Sequence, residues 1–192
     1  MMKNKEGDRM SIGFIILAGG KSTRMKYPKH ELIFNNQRMI DFIVNKAKVM
    51  TDKIYISANQ TINGYTITHD QHKDIGPIEG IYQCMKYSDC DYYCVISCRH
   101  PLIPISIYQA MLKNIKDKEC IVLRNNGQVE PLVSIFRKDV LTKIEKQIQE
   151  RNYSVTDFCD SLDHTYYNSD LVLIGLKTQD DYQKLVKEYK KD

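Results

Sequence analysis

Short runs rich in β-branched and aromatic residues alternate along this chain with longer stretches in which apolar residues recur every three or four positions. The first pattern suits strands, and the second gathers apolar side chains on one face of a helix. Strands are predicted at residues 13–17, 53–57, 92–97, 119–124, 132–136 and 171–174. Helices are predicted between them. The spacing of Met39, Ile40, Ile43, Val44, Ala47 and Met50 is the clearest, and 105–115, 140–148, 155–162 and 180–189 behave alike. Thr178 followed by Asp181 reads as a capping-box variant opening the last of these, because a side-chain oxygen there accepts an unpaired NH of the first turn. Alternation of this kind predicts an α/β fold with a mostly parallel sheet.

Neither a repeat nor a low-complexity tract or Pro/Gly linker divides the 192 residues, so 1–192 is predicted to be a single domain, with 1–11 a loose extension. The hydrophobic fraction of 42% supports one buried core. The 28 Lys plus Arg against 24 Asp plus Glu leave a net charge of +4, too small and too dispersed for the basic stripe of a nucleic-acid reader. No apolar run approaches the roughly 20 residues of a membrane span, and the polar start lacks the apolar stretch of a signal peptide. A cytoplasmic protein acting on small molecules, with no nucleic-acid or membrane partner, is the expectation. The six cysteines are then expected to be free thiols. Cys90, Cys94 and Cys98 each stand four apart, a spacing of neither a zinc pair nor an iron–sulfur loop, and are predicted to be packing residues.

The first strand runs directly into Leu17-Ala18-Gly19-Gly20-Lys21-Ser22-Thr23-Arg24-Met25, and Pro28-Lys29 follows shortly after. Consecutive glycines let a backbone approach a ligand closely, and successive NH groups in such a turn make a concave anion nest. Lys21, Arg24 and Lys29 add cations around it, a combination suited to the phosphates of a nucleoside triphosphate. Two familiar phosphate loops are excluded. Ile15 stands where a P-loop requires glycine five residues before Gly20, and Gly19-Gly20 lacks the later glycine of the dinucleotide fingerprint.

With its strand, this segment resembles the signature of the nucleotidyltransferases that build activated sugars and cofactors. Asp70 followed by Gly76-Pro77-Ile78-Glu79-Gly80-Ile81, then Cys98-Arg99-His100-Pro101, Glu130-Pro131-Leu132 and Thr178-Gln179-Asp180-Asp181-Tyr182, resembles in order the motifs of the molybdenum cofactor guanylyltransferase family. The resemblance implies a Rossmann-like three-layer α/β/α fold of the nucleotide-diphospho-sugar transferase type. It also implies transfer of GMP from GTP to molybdopterin or its molybdenum-loaded form, with release of pyrophosphate and dependence on Mg2+. GTP, molybdopterin or the molybdenum cofactor, and other proteins of cofactor biosynthesis are the implied partners. By the same resemblance Leu17, Ala18 and Gly19 approach the base and ribose. Gly20, Lys21 and Arg24 hold the triphosphate, Lys29 faces the α-phosphate, Asp70 contacts the nucleoside, and Gly76 and Gly80 lie at a helix start beside the nucleotide. Lys29 and Arg24 are the implied catalytic cations.

Two departures accompany the match. Arg99 occupies the position of the family's Mg2+-binding aspartate, and a guanidinium has no acceptor for a hard cation. Gly175-Leu176-Lys177-Thr178 stands in place of an N-x-N-T segment. Glu79 replaces a small residue, which makes it a candidate substitute metal ligand and a candidate ion-pair partner for Arg99. Three readings stay open: guanylyl transfer, binding of nucleotide or pterin without efficient transfer, and nucleotidyl transfer using CTP or a sugar phosphate.

Overall fold

A computed structural model describes residues 10–20, 24–25, 27–72 and 74–189. In chain order these form β1 (Ile12–Leu17), a two-stranded ribbon of β2 (Ile33–Phe34) and β3 (Gln37–Arg38), α1 (Met39–Ala47), β4 (Ile54–Ser57), α2 (Pro77–Lys86) and β5 (Tyr92–Ser97). They continue with α3 (Ile105–Asn114), β6 (Cys120–Asn125), β7 (Gln128–Arg137), α4 (Leu141–Gln149), α5 (Val155–Ser161), β8 (His164–Ser169) and α6 (Gln179–Tyr189).

Six strands make one sheet in the order β4-β1-β5-β7-β6-β8. Its pairings are parallel except where β7 runs against β5 and β6. The β6–β7 hairpin turns through Asn126 and Gly127, both at positive φ (47° and 79°), as the tight primed turns of hairpins require. Alternation along the strands separates two apolar layers. Phe14, Ile16, Cys94, Ile96, Ile121 and Ile135 face α1, α3 and α6. Ile15, Leu17, Tyr93, Val95, Val122 and Phe136 face α2, α4 and α5. The result is the expected α/β fold, helices on both sides of a mostly parallel sheet. All six cysteines are free and buried within these layers. Among the described residues no helix is long and apolar enough to cross a membrane.

The strand predicted at 171–174 does not form. The last strand is β8, which begins seven residues earlier and pairs parallel to β6. Its sequence His-Thr-Tyr-Tyr-Asn-Ser lacks apolar alternation because it is an edge strand, half exposed throughout. The 171–174 segment is tied by a side chain instead: Asn125 accepts from the Leu171 NH at 2.8 Å and donates to its carbonyl at 2.9 Å. Leu173 and Ile174 still cover the core, which explains their apolar character. At the other end, residues 1–9 of the predicted extension lie outside the described residues. Ser11 is held firmly, its NH and hydroxyl both donating to Asp91 Oδ2 at 2.7 and 3.0 Å. The cap of α6 is as predicted: the Asp181 NH donates to Thr178 Oγ1 at 3.3 Å, and the Thr178 NH donates to Asp181 Oδ2 at 2.8 Å.

Candidate nucleotide site

Three parallel strands end at one level. Leu17 is in register with Ser57 of β4 and with Ser97 of β5, and a cleft of about 980 Å³ opens beyond these carboxyl ends. This is where open α/β sheets bind ligands. Leu17, Ala18, Gly19, Gly20, Arg24, Lys29, Asp70, Gly76, Gly80 and Arg99 all line it. Lys21 lies outside the described residues.

The sheet reaches one residue past β1. The Ala18 NH donates to the Ser57 carbonyl at 2.9 Å, and the Cys98 NH donates to the Leu17 carbonyl at 3.1 Å. Ala18 also accepts at its carbonyl from His30 Nδ1 at 3.1 Å. The backbone recognition expected of Leu17 and Ala18 is therefore restricted, since these groups already serve the sheet and His30. Gly19 is the first loop residue outside those bonds, and Gly20 adopts φ +113°.

Lys29 opens a short 3-10 turn whose next residue is the buried His30. Burial holds the Lys29 ammonium below its usual range, opposed by Cys98, while Arg99 and Arg24 push it further down. Lys29, Arg24 and Arg99 thus share one electrostatic neighbourhood. Burial drives the Cys98 thiol up to about 12, so it stays protonated and is not a nucleophile.

On the opposite wall, burial is the largest influence raising the Asp70 carboxyl, followed by the charge of Glu79; Asn59 and Ser57 act the other way. Asp70 Oδ1 is buried and has no hydrogen-bond partner among the described residues, while the residue itself lines the cleft. Gly76 precedes Pro77 at the first turn of α2, with φ +86°. Gly80 is the fourth residue of α2, so the two glycines flank the helix start as expected. A Cβ at Gly80 would fall 2.3 Å from Ser57 Oγ and 3.0 Å from Leu17 Cδ2, so this glycine lets α2 close on β1 and β4.

Glu79 does not pair with Arg99. Its fully buried carboxylate accepts from the Gln71 and His72 NH groups, each at 3.0 Å, and from Gln83 Nε2 at 2.8 Å, with His72 Nδ1 at 3.1 Å. Those bonds gather on Oε1, with His72 Nδ1 also 3.2 Å from Oε2, and Glu79 does not line the cleft, so it acts as a loop clamp. The Arg99 wall holds other groups. Leu176 donates its NH to the Arg99 carbonyl at 2.8 Å, which brings the two departures from the family pattern together. His100, behind them, is pushed down to about 4 by burial and then by Arg99 and Lys177. It is neutral, so its Nδ1, 3.5 Å from Glu130 Oε2, forms a loose contact and not an ion pair. A guanidinium, an ammonium and one carboxyl that burial raises do not suit a hard divalent cation. Among the described residues no group of three or more His, Cys, Asp or Glu side chains gathers as a metal cage.

Several lining residues escaped the sequence reading, notably His30, Ser57, Asn59 and Gln60. Ser57 was detectable only as a strand end. His30 adjoins Lys29, but its contact with Ala18 crosses 12 positions of chain.

Comparison with known proteins agrees with this geometry. A probable molybdenum cofactor guanylyltransferase of Carboxydothermus hydrogenoformans is 27% identical, across 90% of this chain and 93% of its own. A molybdenum cofactor guanylyltransferase from a Shewanella species is 30% identical, across 77% of this chain and 79% of its own. Among solved structures, the molybdopterin-guanine dinucleotide biosynthesis protein A of Archaeoglobus fulgidus superposes with a TM-score of 0.78 at 15% identity, covering 94% of this chain and all of the other. The MobA-like NTP transferase domain matches residues 14–165, which takes in the glycine loop, Lys29, Asp70 and the Arg99 wall. A match over most of the chain, spanning all of the cleft lining but Leu176 and Lys177, identifies the chain as a member of the MobA-like NTP transferase family.

Proposed function

We propose that the protein transfers GMP from GTP to the phosphate of molybdopterin or its molybdenum-loaded form, releasing pyrophosphate. The observation that carries this reading is the convergence of Gly19-Gly20, Lys29 and Asp70 in one cleft at the strand ends. The guanylyltransferase names of the full-length relatives supply the choice of GTP.

In this reaction an oxygen of the acceptor phosphate attacks the α-phosphorus of GTP. A phosphorus–oxygen bond forms as the bond from the α-phosphorus to the bridging oxygen breaks, and the electron pair leaves with pyrophosphate. Such transfers depend on positioning and charge neutralisation more than on covalent participation by the protein. Asp70 accepts from the nucleoside, fixing it against the α2 wall. The glycine loop lets the phosphates approach its backbone, and Lys29 stabilises charge developing at the α-phosphate. Arg24 adds charge along the triphosphate. The resemblance implies Mg2+, but the groups at the Arg99 wall do not suit it, and the step is carried by the chain's own cations.

Incubation of the purified protein with molybdopterin and GTP, with CTP as a parallel nucleotide, tests the reading. Pyrophosphate and the guanine dinucleotide are expected with GTP. Arg99 at the metal position favours a second reading, a relative that binds nucleotide without transferring it. Binding of GTP with no pyrophosphate release would select that reading.

A further inference from the structure

Arg99 and Lys177 both line the cleft and are both exposed, and among the described residues neither side chain forms an ion pair or hydrogen bond. They are held close together by backbone, through the bond from the Leu176 NH to the Arg99 carbonyl. Gly175 makes that approach possible. A Cβ at this position would fall 2.8 Å from His100 Nε2 and 3.8 Å from Arg99 Nε, so a side chain would wedge residues 175–177 off the Arg99 wall. Both cations act on the same two neighbours, the buried His100 and the part-buried Glu130. Neither group forms an ion pair with them: His100 is neutral, and no bond joins Glu130 to Arg99 or Lys177 among the described residues. Two cations without ion-pair partners on one edge of the cleft offer charge-assisted hydrogen bonds to an oxyanion.

We propose that Arg99 and Lys177 form a pyrophosphate subsite that neutralises the β- and γ-phosphates of the nucleotide, and then the leaving pyrophosphate, without a divalent metal. The proposal rests on the nucleotidyl-transfer reading of the same cleft and assigns it a charge device made from this chain's own residues. The guanidinium offers several NH donors in a fixed plane, and the ammonium adds a compact charge.

Titration calorimetry with inorganic pyrophosphate, GTP and GMP in the presence of EDTA tests it. The wild-type protein is expected to bind pyrophosphate and GTP in EDTA. The double variant Arg99→Ala/Lys177→Ala is expected to lose about 30-fold in affinity for both, by loss of charge-assisted hydrogen bonds, while GMP affinity stays within about twofold. The charge-conserving variant Arg99→Lys/Lys177→Arg should retain most of the pyrophosphate affinity, which separates charge from folding. Pyrophosphate binding that requires added Mg2+, or that is unchanged in the double variant, overturns the subsite. A loss of GMP affinity as large as that of GTP also overturns it, since the defect would then lie outside the β,γ region. Pyrophosphate binding without GTP binding leaves the subsite intact and removes the nucleotidyl-transfer reading.

Discussion

His30 Nδ1 lies 3.1 Å from the Ala18 carbonyl oxygen, a contact that fastens the Lys29 turn to the start of the glycine loop. A carbonyl only accepts, so Nδ1 carries the proton, and Nε2 is left to accept from Gln60 Nε2 at 3.4 Å. His30 is 3% exposed, which makes the bond a buried one that water does not replace. Replacement by alanine is expected to cost about 1–3 kcal/mol in stability, from an unsatisfied carbonyl and a cavity. It should also weaken GTP binding by letting Lys29 drift from the loop. His30→Asn restores a donor near the Nδ1 position and should recover much of the nucleotide affinity. Denaturant unfolding together with GTP titration of both variants checks this, and equal binding by both would remove His30 from the positioning of Lys29.

Glu79 holds the 71–72 segment through two backbone NH groups, and that segment follows directly on Asp70. Glu79→Ala frees those two NH groups and leaves the buried Gln83 amide without its acceptor, and is expected to destabilise the fold by about 1–3 kcal/mol. Glu79→Gln keeps one acceptor oxygen and should lose far less. Hydrogen exchange at residues 70–76 is the direct readout. Fast exchange in the alanine variant and protection in the glutamine variant are expected, while equal exchange in the two would show that the clamp does not hold the loop.

Asp70 carries stability and function in opposite directions. Burial and Glu79 raise its carboxyl above the usual range, so the folded state favours the protonated form more than the unfolded chain does. This contribution is fully present below the unfolded value and is lost as pH rises through the folded one. Above that folded value the ionised carboxylate is a liability, and Asp70→Asn is expected to raise the melting temperature there. The same change removes a charged acceptor from the nucleoside and should weaken GTP binding about tenfold or more. A variant that is both less stable and equally able to bind GTP would contradict this assignment.

Lys46 of α1 reaches across to donate to the Pro101 and Ile103 carbonyls, closing the loop that follows the Arg99 wall. Burial lowers its ammonium to about 7. Between that value and the ordinary lysine range near 10.5 the unfolded chain holds a proton that the folded one has released, so stability rises with pH across this window. Thermal melts from pH 7 to 9 should show this slope, and Lys46→Met should flatten it. An unchanged slope in the variant would mean that Lys46 stays charged in its carbonyl nest.

Periodicity was sufficient where an element is buried on one face or two. The run Phe14 to Leu17 is continuous because β1 is covered on both sides, and the spacing of Met39 to Ala47 matches the buried face of α1. It failed at β8, whose tyrosines and polar residues occupy a half-exposed edge, and at 171–174, whose apolar residues cover the core without joining a ladder. Local motifs were also legible. The glycine loop, Lys29 and Asp70 line a common cleft as their order along the chain suggested. The supposed Glu79–Arg99 pair was not legible, because charge complementarity between two letters carries no information about which wall each side chain occupies.

The order of hydrophobic periods and a few closely spaced motifs suffice to establish the α/β architecture, the family and the place of the glycine loop, since each depends on interactions within a strand, a helix turn or a single loop. The partners of the functional side chains depend on packing across the sheet. Folding sends Glu79 inward to clamp a loop, sets His30 under Ala18, and brings Gly175 against His100 so that Arg99 and Lys177 share an edge of the cleft. Such contacts join residues as much as 77 positions apart, and close packing in three dimensions selects them where local sequence does not.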